Sequence, residues 1–293
     1  MSRRQQAKQL SSSLLVRWRR TLPGHTLSRS QALDLGHYTL ALSAQQLFCV
    51  VPLLVATSSV LHRMHEGSAA GLISDALGLN AGGRHDLHVL LQPAATPGWG
   101  ELVVGLLLAV AFTFGVAGTT QRILEIAWDR PRAPWQRWWW MRLVWVASLV
   151  PFLASAIWLS GRTRNWPIGG VLEIAVESVT VGLSMGGYYW WTQWCLLLRR
   201  VPWVKLLPGS LLIALGATVV SVGSEIWLPG QVTEQVDDYG LVGTTFVLSV
   251  WVLFVSGVVV AGILFNAVLD ERRAARVREG SVRLADWRTR SDV

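Results

Sequence analysis

The sequence predicts an all-α fold, a polytopic membrane bundle of six transmembrane helices with both termini in the cytoplasm (N-in/C-in), kinked spans and an amphipathic outer-loop segment. Three observations predict it. Of 293 residues, 52% are hydrophobic and only 15% charged, with a mean hydropathy of +0.39, a composition that soluble domains do not show. Apolar stretches recur at about 38–61, 101–119, 138–160, 170–198, 206–228 and 240–268. Each approaches the roughly 20 residues that a helix needs to cross a hydrocarbon core about 30 Å thick. Lys and Arg are segregated between the connecting segments: seven in residues 1–36, five from Arg122 to Arg142, three in 199–205 and seven in 272–290, against four on the other side. With the acids divided in the same way, one side carries +14 and the other −6, which recovers the formal +8. The positive-inside rule then places both termini in the cytoplasm.

Residues 1–36 form a basic cytoplasmic segment without the apolar core and cleavage site of a signal peptide. Leu10, Leu14, Leu15 and Trp18 among Arg17, Arg19 and Arg20 suit a helix lying on the inner leaflet, or a solvated tail. Residues 37–270 form the transmembrane domain and 271–293 a second basic cytoplasmic tail. The first span carries Gln45, Gln46, Cys49 and Pro52, and the third carries Pro151. A proline inside a helix removes one donor and bends it.

Residues 62–100 form the longest connection, and "GLISDALGLNAGG" reads there as an amphipathic turn or two ending at glycines. The same connection holds four of the six histidines, as His62 with His65 and His85 with His88. A His-x-x-His pair shares a helical face and suits zinc, so the two readings are a zinc site and hydrated loop histidines. No other cofactor is expected. Cys49 and Cys195 support neither a disulfide framework nor a thiolate metal site.

"RWWWMRLVW" at 137–145 interleaves Arg with Trp, a pattern that can stack single-stranded bases. At the inner end of a span it reads instead as an aromatic belt at the headgroups, and no nucleic-acid partner is expected. The fifth span sets Gly209, Gly216 and Gly223 at steps of seven beside Ser210, Ala217 and Ser224, and the fourth has Gly182 and Gly186. Small residues in register let helices approach closely in lipid.

Polar residues inside the spans fall into two layers. The outer layer holds Glu101, Glu173, Glu177 and Glu225; the inner layer holds Gln45, Gln46, Arg142, Gln193 and Asn266. A charge at the bilayer centre costs about 2.5–3.5 kcal/mol on insertion scales and faces the bundle interior or a water-filled cavity. Glu173 and Glu177 share one helical face, so they either line a substrate- or proton-binding cavity or pair with Arg162 and Arg164.

Taken in order, "LFCVVPLLVATSSVL" (47–61), "QRILEIAWDRPR" (121–132), "LLPGSLLIALG" (206–216) and "YGLVGTTFVLSVWVLFVSGVVVAGILFNAVLDER" (239–272) resemble the YihY/BrkB family of bacterial inner-membrane proteins. The matching positions are Pro52, then Pro208 and Gly209, then Tyr239, Gly240 and Gly243, then Trp251, Gly262 and Asn266. One departure stands out: Leu124, Glu125, Ile126, Ala127 and Trp128 occupy the place where such proteins commonly show Leu-Asn-Arg-Ile-Trp. The resemblance implies a multi-pass protein of the bacterial cytoplasmic membrane, associated with envelope integrity and, by suppression arguments, with lipid translocation. An old ribonuclease label fits poorly, because the inner segments offer only His25 and His37 with scattered acids. The chain is therefore expected not to be an enzyme. Its expected partners are membrane lipids, especially anionic ones, and it either translocates an anionic lipid or lipid-linked precursor or serves as a non-transporting envelope or scaffold protein.

Overall fold

A computed structural model describes residues 26, 28–31, 33–64, 99–164 and 171–291. Among the described residues there is no strand, and the chain is helical almost throughout. Helix α1 runs Leu35–Met64, α2 Trp99–Ala127, α3 Trp135–Arg164 and α4 Val171–Leu196; a short 3-10 helix, Trp203–Leu206, then leads into α5, Leu207–Ser291. Each apolar stretch recognised in the sequence falls on one of these helices.

Helix α5 contains 85 residues, which would extend about 130 Å if straight at 1.5 Å per residue. It does not run straight. Gly209 lies against Gly262, and Gly216 lies against Val258. Paired positions that converge in this way define two antiparallel legs, so the chain reverses between them. Residues 229–238, which connect the fifth and sixth apolar stretches, are also helical.

Three segments among the described residues are long and apolar enough to cross a membrane: Val103–Ala127, Trp203–Ser224 and Thr245–Arg278. The last two are the legs of α5. Their outward faces show Leu211, Leu215, Val219, Phe246 and Phe254 exposed, and α2 shows Leu106, Leu107 and Phe112. Large apolar side chains on the outside of several helices mark a surface made for lipid. The buried core is equally apolar, with Leu35, Leu42, Ile123, Leu196, Ile213 and Ile263 at its centre. Helix α4 packs chiefly on α5, α1 on α2, and α3 on α4.

Small residues set these approaches. A Cβ at Gly182 would overlap Thr218 Oγ1, and one at Gly186 would stand 2.6 Å from Ala214 Cβ, so α4 rides directly on the first leg. A Cβ at Gly216 would stand 2.5 Å from Val258 Cγ1. Pro52 and Pro151 are carried inside α1 and α3. Helices α2 and α4 close with the same cap. Asp129 and Leu198 adopt positive φ, 48° and 56°, and the following N–H groups reach back five residues, Arg130 to Glu125 O at 2.8 Å and Arg199 to Trp194 O at 3.1 Å. This is the Schellman arrangement, which satisfies carbonyls that a helix end would leave open.

Candidate functional site

The inner polar layer is brought together most closely where α4 meets both legs of α5. Asn266 is fully buried on the second leg. Its Oδ1 accepts from Gly209 N–H at 2.6 Å, and its Nδ2 donates to Gln193 Oε1 at 2.9 Å and to Leu206 O at 2.8 Å. Gln193 Nε2 donates to Ser210 Oγ at 3.0 Å, and that hydroxyl donates to Leu206 O at 2.9 Å.

The local sequence explains the geometry. A helix leaves its first N–H groups without partners. At the start of α5 the Leu207 N–H bonds Val204 O, Pro208 has none to offer, and Gly209 receives its acceptor from Asn266. Gly209 must lack a side chain for this, because a Cβ would lie 2.5 Å from Asn266 Cγ. Residues flagged at separate places in the sequence, Pro208, Gly209, Gly262, Gln193 and Asn266, therefore meet at one joint.

The other inner-layer glutamines are also paired. Thr119 Oγ1 donates to Gln45 Oε1 at 2.7 Å, joining α2 to α1. Ser256 Oγ donates to Gln46 Oε1 at 2.8 Å, joining α5 to α1. Arg142 lies across the bare backbone of Gly118, where a Cβ would stand 2.8 Å from its Nη1. It stacks on the Trp138 ring at 3.9 Å and donates to Gln121 Oε1 at 2.9 Å.

That last contact opens a network absent from the sequence expectations. Gln121 Nε2 donates to Glu125 Oε1 at 3.2 Å, and the same carboxylate oxygen accepts from Ala133 N–H at 3.0 Å. Arg122 Nη1 stands 3.8 Å from the other oxygen. Glu125 is buried, and it closes the turn twice, with its carbonyl in the Schellman cap and with its side chain across residues 128–133. It occupies the position where the sequence departs from the family pattern. The signal that could have found it is the i, i+4 spacing of Gln121 and Glu125, which puts both on one helical face.

Around the joint, the helix ends are tied by further contacts. Lys205 Nζ pairs with Asp270 at 2.7 Å, and Arg200 Nη1 donates to Pro131 O at 2.9 Å. Arg29 pairs with Glu271 and donates to Ala127 O. Trp190 Nε1 donates to Trp203 O at 2.8 Å, and the two rings stack at 4.9 Å. Arg199 lies 4.5 Å over Trp194. Trp140 and Trp203 are exposed.

The outer layer is less visible. Glu177 is half-buried on α4, while the side chains of Glu101, Glu173, Glu225, Arg162 and Arg164 lie outside the described residues, as do those of Tyr239 and Gly240 and the four histidines His62, His65, His85 and His88. Among the described residues no group of three or more His, Cys, Asp or Glu could hold a metal. Both cysteines are free thiols.

A cavity of about 90 Å³ lies between α4 and the two legs, bounded by Val181 and Met185, by Ile213 and Val220, and by Trp251 and Val259. Trp251 thus stands at this cavity and not at the joint.

No curated protein and no solved structure matches the chain. The family described as virulence factor BrkB matches residues 26–285, which include the described parts of α1 to α4 and nearly all of α5. The chain is a membrane protein of the BrkB virulence factor family.

Proposed function

We propose that the protein is a six-span, N-in/C-in protein of the bacterial cytoplasmic membrane that takes an anionic lipid or lipid-linked precursor at the inner leaflet and passes it outward. The observation that carries this reading is the apolar cleft between α4 and the legs of α5, on the same interface as the hydrogen-bonded joint. A cationic and aromatic rim lies at the joint end, with Arg137, Arg199 and Trp203 exposed. A rim of this kind attracts anionic headgroups, and the excess of acids on the opposite side would favour release. Glu177, with Glu173 one turn away, is the candidate proton-linked group on the exit side.

The test is leaflet exchange in vesicles. The full chain, reconstituted with fluorescent phosphatidylglycerol, should accelerate its exchange over protein-free vesicles and over a phosphatidylcholine analogue. Glu177→Gln should slow that exchange while leaving the protein folded. Exchange equal to that of protein-free vesicles would overturn the transport reading.

A second reading has its own support. Gln45, Gln46, Arg142, Gln193 and Asn266 all make interhelical or stacking contacts, as a non-transporting envelope or scaffold protein would require. That reading predicts no exchange but full complementation of a deletion strain by the Glu173→Gln, Glu177→Gln double mutant. Zinc bound by the four outer histidines is a separate proposal. Metal content of the purified protein, compared with the quadruple His→Ala variant, tests it.

A further inference from the structure

Two turns meet at the end of the bundle that holds the joint. Arg200 Nη1, on the turn after α4, donates to Pro131 O on the turn after α2 at 2.9 Å, so the backbone that carries Arg130 and Arg132 lies within reach of Arg199 and Arg200. Residues 128–137 and 197–205 together hold six Lys or Arg against one acid, Asp129. Lys205 is paired with Asp270, and Arg200 is engaged by the Pro131 carbonyl. Arg130, Arg132 and Arg199 are exposed, and among the described residues none of the three forms an ion pair.

Leu198 and Arg199 both take positive φ, 56° and 60°. L residues rarely adopt this conformation, and glycine is the usual choice at such a cap, so two other residues in succession there are strained. Strain of this kind is concentrated at ligand clamps and active sites. Here it leaves the Leu198 side chain half-buried and Arg199 exposed, with its guanidinium 4.5 Å over the Trp194 ring. Stacking engages the guanidinium face and leaves the in-plane N–H donors open. A group already held in this way loses less freedom when it takes an anion.

Apolar side chains continue from the same place. Trp203, Leu207, Leu211 and Leu215 are exposed and follow at steps of four along the apolar segment Trp203–Ser224, a spacing that forms a ridge on one side of a helix. Donors for an anion thus stand at the head of a strip suited to a hydrocarbon chain. A soluble anion or a nucleic acid would use only the first half of this surface.

We infer that the turns after α2 and α4 form a headgroup site for an anionic phospholipid, whose phosphate accepts from Arg130, Arg132 and Arg199 while one chain lies along the ridge from Trp203 to Leu215. Phosphatidylglycerol fits this site, and phosphatidylcholine fits it poorly because the choline cation would meet uncompensated arginines. The site deepens the rim of the proposed function and rests on that reading's placement of this end at the inner leaflet. It does not rest on transport: capture without leaflet exchange leaves the site standing and removes only the translocation.

The experiment uses the full chain in nanodiscs, with phosphatidylglycerol and phosphatidylcholine probes that each carry a diazirine at the top of one acyl chain, and maps the adducts after irradiation. Phosphatidylglycerol adducts should concentrate on residues 128–137 and 197–207. Changing Arg130, Arg132 or Arg199 to Gln should each lower that capture about fivefold, the effect of one basic residue near an anionic surface, whereas Arg276→Gln, on the exposed extension of α5, should not. Arg199→Lys keeps the charge but loses the stacked planar fork, and should lower capture nearly as far as Arg199→Gln. Arg199→Gly relieves the backbone, so unfolding stability should hold or rise while capture falls, which separates binding from folding. Full capture by Arg199→Lys, or equal adducts from the two probes, would overturn the site. Glycerol phosphate has the anion without the chain and should not displace the lipid; displacement would overturn the lipid in favour of a soluble phosphate compound.

Discussion

Replacing Asn266 by Ala removes three hydrogen bonds at once, and the loss can be worked from its partners. Leu206 O keeps the Ser210 hydroxyl, so it is not stranded. Gly209 N–H and Gln193 Oε1 are, and both residues are buried. Stranded groups cost about 1–3 kcal/mol each, while interhelical hydrogen bonds in a membrane host average about 0.6 kcal/mol with a maximum near 1.7. The two scales together give a loss of about 2–4 kcal/mol. Unfolding by a denaturing detergent in mixed micelles reads it directly. A double-mutant cycle with Gln193→Ala isolates the pair, because Gln193 and Asn266 share one bond and the combined loss should fall below the sum. The apolar double variant Gln193→Leu, Asn266→Leu should recover part of the stability and not all, since Gly209 N–H stays unpaired. Strict additivity, or a loss under about 0.5 kcal/mol for Asn266→Ala, would refute the view that this joint fixes the legs.

Three further outcomes follow from the geometry. Gly182→Ala should destabilise the protein by about 1–3 kcal/mol through overpacking, because its Cβ would overlap Thr218 Oγ1 and stand 2.6 Å from Ala214 O; Gly223→Ala should be neutral or stabilising by up to about 1 kcal/mol, both read by the same unfolding assay. Glu125→Ala strands the Ala133 N–H and frees the turn after α2, so limited trypsin should cut after Arg132 at least several-fold faster than in the parent, with Glu125→Gln intermediate. Outside the spans, the hydrogen bond that His37 Nδ1 donates to Asp34 Oδ1, at 2.7 Å, raises the His37 pKa above its ordinary 6.5, with charge attraction adding to it. Its contribution is complete below that ordinary value and is lost as pH rises through the raised one; Asp34→Asn should move the His37 titration, followed by NMR, back down.

The helices and the small-residue packing were legible because both are written as local periodicity. Apolar runs of spanning length located α1 to α5, and the glycine steps at Gly209 and Gly216 marked a true contact. Gly223 shows the limit of that logic, since equal spacing does not guarantee an equal neighbour. The inner polar layer was also legible as a layer, but its partners were not: Thr119, Ser210 and Ser256 are small hydroxyl residues that look lipid-compatible until tertiary structure sets them opposite Gln45, Gln193 and Gln46. Glu125 escaped notice for a related reason. Its role depends on the turn at 128–133 folding back over the helix end, and no helical period encodes that return.

The two legs of α5 meet through glycine, serine and valine, surfaces smooth enough to fit in more than one register. A polar residue at a single position is the usual device for choosing among such registers, and Asn266 meets the requirement, because only one alignment gives its oxygen the Gly209 N–H and its amide Leu206 O. A slip of one helical turn would carry Asn266 about 6 Å along the leg and leave it facing aliphatic side chains. The same alignment sets Trp251 and Ser224 at the cleft, each fifteen residues from its own leg's member of the joint, Asn266 and Gly209. Parting the legs at the Asn266 end would break paired hydrogen bonds, whereas parting them at the Trp251 end would break mainly apolar contacts, and lipid can replace those at little cost. The joint therefore acts as a fixed end, and any widening of the cleft takes place away from it, beside the one indole N–H among the described lining residues that still has no acceptor.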